Sequence, residues 1–417
     1  MKIFYKIQWI VILLNCLVIN AQTGTSSPYS VFGIGEINQP GTGINTGLGG
    51  AGIALPTETS LNNINPASYY TIDSLSFLTD VGLNMKFSKF NSGTQHPTST
   101  NIGLNFFAVG FRITSWWKNS LGVAPFSSVG NSFNTYKNVD NSTEKYKVNE
   151  QGSGGLNQLY WGNAFKLLPN LSIGLNMAFI FGDIKQIEDA SLASLGVNGD
   201  LKTEDNIFVQ KLYFNYGLQY TFHLSKSIKG SVGGIFGNSS KLNLSHEKTI
   251  TDNSNAILQN NVESQSTFTL PTYYGIGASL KINDKLLLTS DYKFYNWSKS
   301  ESLDPTVRLV NSNSYMAGIE YLPSSSFRDR GLKKVLYRAG GYINNTYMMV
   351  YGQQIIDKGL TIGLGIPVVQ KKLYFNVAYA IGTKGSNENK GIIQENYQNF
   401  IITISINDFW FFKPKFD

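Results

Sequence analysis

Beyond Cys16 the chain has no cysteine, and charged residues make up only 15% of it. Cys16 lies in the first apolar stretch. With that stretch removed, the remainder can form no disulfide, thiolate metal site or cysteine nucleophile. The formal charge of +7 comes from dispersed Lys and Arg with no dense basic run, which excludes a nucleic-acid partner. After residue 21 no apolar run approaches the ~20 residues that a membrane-spanning helix needs, so a helical inner-membrane protein is also excluded. His96, His223 and His246 are the only histidines, and all three read as loop or turn residues. No GxSxG elbow and no His or carboxylate cluster at ligand spacing is present, and Arg328-Asp329-Arg330 reads as a solvated turn. The expectation is a non-enzyme without catalytic residue, metal or cofactor.

What the chain does have is 13% aromatic residues and 41 glycines spread through its apolar stretches. Its start reads as an export signal over residues 1–21. Lys2 and Lys6 form the basic region, Ile7 to Ile19 the apolar region, and Ala21 the small residue before a cut at Gln22. A lipidation box ending at Cys16 is the other way to read this stretch, but Asn15 is too polar for the small residue that should precede the cysteine.

From residue 75 onward apolar residues alternate with small or polar ones, the period-two signature of strands wet on one face and apolar on the other. Leu171, Ile173, Leu175, Met177, Phe179 and Phe181 share one face, and Ser172, Gly174, Asn176 and Ala178 the other. Leu75 to Phe87 and Leu373 to Ile381 repeat the pattern. Crossing hydrocarbon at a tilt takes about 9–11 residues, against about 5–6 in an ordinary soluble strand. On that criterion strands fall near 75–90, 101–114, 119–133, 156–167, 171–183, 207–222, 228–245, 265–281, 286–298, 305–322, 335–346, 355–366, 372–384 and 392–408. They total about fourteen, an even number, as single-chain bacterial barrels require. Connections alternate in length: 115–118, 168–170, 223–227, 283–285 and 367–371 are short, whereas 134–155, 184–206 and 246–264 are long and polar. The expected fold is therefore an all-β, transmembrane antiparallel barrel over 75–417 in the outer membrane of a Gram-negative cell, with outer-membrane lipid against its outside. Pro323 to Lys334 is the one long connection on the periplasmic side. His96 and His246 fall at the outer end and His223 at the periplasmic end. Trp116, Trp117, Tyr160, Trp161, Tyr292, Tyr295 and Trp297 lie where strands meet turns and read as a membrane-interface girdle.

Residues 22–74 do not alternate. They carry Gly47-Leu48-Gly49-Gly50-Ala51-Gly52, formally a GxGxxG, without the strand before it and the helix after it that a dinucleotide fingerprint requires. Gly47, Gly49, Gly50 and Gly52 instead allow a tight backbone inside a lumen. GLGGAGIA at 47–54, followed by Asn65-Pro66-Ala67 ahead of the first long strand, resembles the hatch of FadL-type long-chain fatty acid transporters. The resemblance implies a fourteen-stranded barrel, a plug over 22–74, a hydrophobic or amphipathic small-molecule ligand, and a side exit at a kinked strand. The composition and the closing Trp410 to Asp417 resemble the Bacteroidota branch, which includes PorV-type barrels that serve protein secretion.

Asn65, Pro66 and Ala67 are candidate plug residues: Asn65 offers hydrogen bonds to inward-facing barrel groups, and Pro66 fixes the chain direction. A plain turn is the alternative. Pro125, between Gly122 and Gly130, removes one ladder hydrogen bond, which points either to a lateral gap or to a bulge near the rim. Function then divides between a passive channel for a hydrophobic or amphipathic small molecule and a barrel that docks secretion or assembly proteins. A general porin ranks last, because the inward positions are Gly, Ala, Ser and Asn and not rings of charge.

Overall fold

The computed structural model describes residues 27–409 except 75, 92–95, 140–141, 192–198, 301–307, 325, 327–328, 330, 370–371 and 387–391. The export signal, Cys16, Arg328, Arg330 and the closing Trp410 to Asp417 lie outside the described residues.

The architecture is a closed antiparallel barrel of fourteen strands. In chain order they are β1 (Ser76–Asn91), β2 (Thr98–Arg112), β3 (Trp117–Asn138), β4 (Lys145–Leu168), β5 (Leu171–Ser191), β6 (Asp200–Ser225) and β7 (Ile228–Gly237 continuing as Ser240–Asp252). There follow β8 (Ile257–Leu270 and Thr272–Ile282, interrupted at Pro271), β9 (Leu286–Asn296), β10 (Arg308–Leu309 and Ser312–Tyr321), β11 (Leu336–Val350), β12 (Gln353–Val369), β13 (Leu373–Lys384) and β14 (Gln394–Phe409). Closure comes from β14 pairing with β1, from Gln394 opposite Asn91 to Phe409 opposite Ser76. Such closure leaves no sheet edge to carry unpaired peptide groups into lipid. Among the described residues no helix is long and apolar enough to cross a membrane.

Side-chain alternation puts the apolar face outside. In β5, Ile173 and Phe179 are exposed while Ser172, Asn176, Ala178 and Ile180 are buried. On β12, Leu360, Ile362 and Leu364 are exposed while Thr361 is buried. An apolar surface of this extent is unfavourable in water and suits acyl chains.

The structure revises the loops. Over 134–155 the chain is mostly hairpin, since β3 runs to Asn138 and β4 starts at Lys145; likewise β5 runs to Ser191 and β6 starts at Asp200, and β7 runs to Asp252 and β8 starts at Ile257. These extensions carry charge pairs between strands, Lys137 with Glu150 (3.1 Å) and Glu188 (2.9 Å), and Lys185 with Glu204 (2.5 Å). Where a strand is wetted on both sides it keeps its ladder without an apolar face, so its residues read as polar loop. For the same reason His246 and His223 lie on β7 and β6, not in loops.

Candidate functional site

Residues 27–74 add no strand to the barrel's run of fourteen. Their elements are a 3-10 turn Pro28–Val31, a two-residue strand Glu36–Ile37, the short helix α1 (Gly43–Gly47) and a second 3-10 turn Pro66–Thr71. Thr42 caps α1 with a capping box completed by Asn45. Most apolar side chains here are buried, among them Leu48, Ile53, Leu61, Tyr69 and Ile72, each at or below 1% exposed. Their neighbours are inward-facing glycines of the wall. A Cβ on Gly217 of β6 would stand 2.1 Å from Oδ1 of Asn65, one on Gly174 of β5 2.3 Å from the Ala67 nitrogen, and one on Gly340 of β11 2.3 Å from the Gly49 nitrogen. Glycine at these inward positions lets backbone approach backbone.

Two buried barrel carboxylates hold the segment from opposite sides. Asp291 Oδ2 on β9 accepts the backbone N–H groups of Gly52 (2.7 Å) and Ile53 (2.8 Å). Asp80 Oδ2 on β1 accepts the Ser60 hydroxyl (2.7 Å) and the Leu61 N–H (2.6 Å). The GxGxxG stretch therefore ends on an amide, that of Gly52, bound to a side-chain carboxylate of its own chain, while the amides of Leu48, Gly49, Gly50 and Ala51 bond to carbonyls within the segment. Gly49 and Gly50 have φ of 70° and 88°, which favours glycine. Asn65, 0% exposed, caps the second 3-10 turn by accepting from the Ala67 N–H (3.0 Å) and donates to the carbonyls of Ile53 (2.7 Å) and Leu218 on β6 (3.0 Å). Pro66 opens that turn, and Ala67 is buried against β5, its carbonyl accepting from Ser172 (3.0 Å).

One seam of the wall is incomplete. β2 and β3 share only six register pairs, Phe107–Val123 to Arg112–Lys118, fewer than the ~9–11 residues that cross the hydrocarbon. Beyond them Asn101 to Leu104 of β2 are exposed on both faces. On the β3 side the N-terminal segment takes the vacant edge. Glu36 and Ile37 pair with Ser128 and Ser127, the Asn38 N–H donates to the Phe126 carbonyl (2.9 Å), and the Ser27 N–H donates to the Gly130 carbonyl (3.1 Å). On the β2 side Asn105 donates to the Gly41 carbonyl (2.9 Å). Pro125 pairs with Asn157 of β4, and a bulge follows before Ser127. Gly122 lies where pairing with β2 is about to end, opposite Tyr160, whose ring would meet a Cβ at 2.7 Å. Two ion pairs stand nearby, Lys384 with Glu36 and Lys86 with Glu395, both at 2.8 Å.

Inside this seam lies a cavity of ≈ 160 Å³. Residues Ile37 to Pro40 bound it on the seam side, and Phe126, Tyr213, Tyr273, Tyr295 and Trp297 supply most of its rings. The Tyr273 and Tyr295 rings stack at 4.9 Å, and Trp297 stacks on Tyr347 at 4.4 Å. Trp297 is 2% exposed and lines the lumen, so it is no interface anchor; Tyr160 and Tyr295 are inside with it. The period-two count gives the reason, since Trp297 shares the parity of the inward Asp291, Lys293 and Tyr295. Trp116, Trp117 and Phe165 stack together at the turn end of β3 and β4, with Trp116 54% exposed, and Trp161 is exposed on the outer face of β4.

His246 accepts or donates on both ring nitrogens, to Asp205 (2.9 Å) and Ser266 (2.7 Å), on the lumen face of β6, β7 and β8. Carboxylate, imidazole and hydroxyl stand in the order of a hydrolytic relay. Ser266, however, lies in a regular ladder opposite Leu244, without the strained elbow that presents a nucleophile. Among the described residues no group of three or more His, Cys, Asp or Glu side chains is placed to hold a metal. In the connection after β10, the Ser324 hydroxyl donates to Asp329 and, with Lys333, holds its carboxyl below the usual range.

Residue reading missed Asp80, Asp291 and Lys293, and also the stretch 36–41. The three charged residues did carry a signal: each is a charge at an inward position of a strand whose other inward residues are mostly small or uncharged.

Solved structures share this fold. The toluene transporter TbuX of Ralstonia pickettii is 14% identical with a TM-score of 0.62, over 88% of this chain and 98% of that one. A Pseudomonas aeruginosa FadL homologue is 13% identical with a TM-score of 0.61, over 89% and 99%. The Pseudomonas putida toluene transporter TodX is 11% identical with a TM-score of 0.54, over 90% and 100%. No curated protein matches the chain. At these identities the likeness is one of fold. A family model described as BamG matches residues 3–417, nearly the whole length, and the chain therefore belongs to the BamG family.

Proposed function

We propose that the protein is an outer-membrane channel, not an enzyme, through which a hydrophobic or amphipathic small molecule passes without energy input. In this reading residues 27–74 are the plug, and the seam between β2 and β3 is the side exit. The observation that carries it is the wall break itself: six register pairs, then a vacant edge covered by residues 36–41, with an aromatic cavity directly behind. Open peptide groups at membrane depth are costly, so a seam covered by a short, separable segment is more readily opened than a continuous ladder. The similar solved structures are toluene transporters and a FadL homologue, which favours the same class.

A disulfide lock tests it. Ile37 and Ser127 are cross-strand partners, and Cys16 is the only other cysteine of the chain. In proteoliposomes, oxidised Ile37→Cys/Ser127→Cys protein is expected to stop the flux of a hydrophobic dye, and dithiothreitol to restore it. Equal flux in both redox states removes the seam as a path.

A second reading, a docking barrel for secretion or assembly proteins, draws on the periplasmic connection after β10, where Leu332 is 76% exposed on the 3-10 turn Gly331–Lys334. A stable protein complex that Leu332→Glu dissolves, with no dye flux in the unlocked protein, favours it over the channel.

A further inference from the structure

The two sides of the wall break are not finished alike. Residues 36–38 join the edge of β3 as a short strand and the Ser27 N–H reaches Gly130, whereas β2 receives one side-chain bond, from its own Asn105 to the Gly41 carbonyl. From Thr98 to Phe106 β2 is laddered to β1, with a bulge at Asn105, and among the described residues no backbone group pairs with its other edge. Ile102 and Leu104 stand opposite Met85 and Leu83 on the outward, apolar face, so this bare edge lies at membrane depth, where open peptide groups are strongly unfavourable. In a strand every second residue turns its N–H and C=O to the same edge, which here leaves a row of donors and acceptors over roughly 30 Å. Another extended backbone completes such a row, and the chain's own covering segment does so on the facing edge of β3. The side chains narrow the choice. Ile102 and Leu104 face outward, while Asn101 and Gly103, opposite Lys86 and Asn84, face the lumen and are exposed, and a Cβ on Gly103 would meet nothing within 4 Å. A strand laid along this edge therefore needs apolar residues on one face and has room for polar or small ones on the other.

We propose that the open edge of β2 is a docking site for an extended strand of another polypeptide, one with the two-residue apolar–polar alternation of membrane-barrel strands, which adds antiparallel to Thr98–Phe106. The proposal goes beyond the channel reading: it uses the same seam but requires no flux. A small molecule passing the seam meets only one or two of the open peptide groups, whereas a strand meets the whole row.

The test is residue-resolved hydrogen exchange on the purified full-length protein in a non-ionic detergent. The probe is a synthetic peptide with the sequence of Leu171 to Phe181, LSIGLNMAFIF, and the control holds the same residues in an order without alternation. The alternating peptide is expected to slow exchange at every second amide from Thr98 to Asn105 by about tenfold, the slowing given by an edge occupied about nine-tenths of the time, and the control to leave those amides unchanged. The intervening amides, already in the β1 ladder, serve as the internal reference. Equal slowing by both peptides, or no slowing at the edge amides, overturns the proposal. Slowing seen only in protein that lacks residues 22–26 also overturns it, because the chain's own N-terminal residues then hold the edge. Oxidised Ile37→Cys/Ser127→Cys protein keeps the covering segment on β3 and leaves the β2 edge free, so it is expected to bind the peptide as the reduced form does. Binding by the reduced form alone would mean that the peptide displaces residues 36–38 from β3, and the β2 assignment falls. Peptide binding with flux indifferent to the lock keeps this proposal and removes the side exit; a lock that controls flux without any peptide binding does the reverse.

Discussion

The two edges of β3 are built from one strand and behave differently. Toward β4 it is paired over 21 residue positions, from Trp117 opposite Phe165 to Asn138 opposite Lys145, with a single bulge after Pro125. Toward β2 the ladder stops after six pairs. The difference is not one of strand propensity, since the same residues serve both edges. It lies in what completes the hydrogen bonds: a neighbouring strand on one side, residues 27–38 of the N-terminal segment on the other. A ladder of 21 pairs opens only with the barrel, whereas a covering segment held by a few bonds can leave while the barrel stays closed.

The largest test of that contrast is removal of the covering segment. Deleting residues 27–41 while keeping residues 1–26 is expected to raise dye flux about a hundredfold, the ratio between a gate shut 99% of the time and one always open. The barrel should keep its heat-resistant gel migration. Unchanged flux would show that the β2–β3 edge is sealed by other means. A smaller effect is expected where the segment is anchored but not removed. Asp80→Leu leaves the Leu61 N–H and the Ser60 hydroxyl without their acceptor, at a cost of about 1.5–3 kcal/mol. Hydrogen exchange at the Leu61 amide is expected to accelerate while exchange in the β3–β4 ladder stays slow. Equal acceleration in both places would mean that segment and barrel open as one unit. The smallest effect belongs to Asn105→Ala, which deletes the single bond from β2 to the Gly41 carbonyl. About 0.5–1.5 kcal/mol is at stake there, enough to raise flux a few-fold in the same liposome assay and to leave thermal stability unaltered.

The contrast also explains what was readable in the residues. Fourteen strands were legible because a wall between lipid and lumen imposes a period of two on every crossing, and β5 shows it side chain by side chain. The hairpin extensions of β3 to β8 were not, because with water on both faces that period loses its apolar half. Trp297 was misplaced by counting aromatics near strand ends without following parity through Asp291, Lys293 and Tyr295, which puts it inside. The glycine-rich 47–52 stretch was legible as tight backbone; that the Gly52 amide at its end would meet Asp291, more than two hundred residues away, was not.

The sequence by itself determined the closed sheet and its outward face, because peptide groups in hydrocarbon must be paired and alternation is a local property of neighbouring residues. Only the tertiary structure decided which edge stays unpaired, which segment covers it, and that rings drawn from β3, β6, β8 and β9 gather in one cavity behind it. Those facts depend on the register between distant strands, and no local pattern encodes a contact between residues that far apart along the chain.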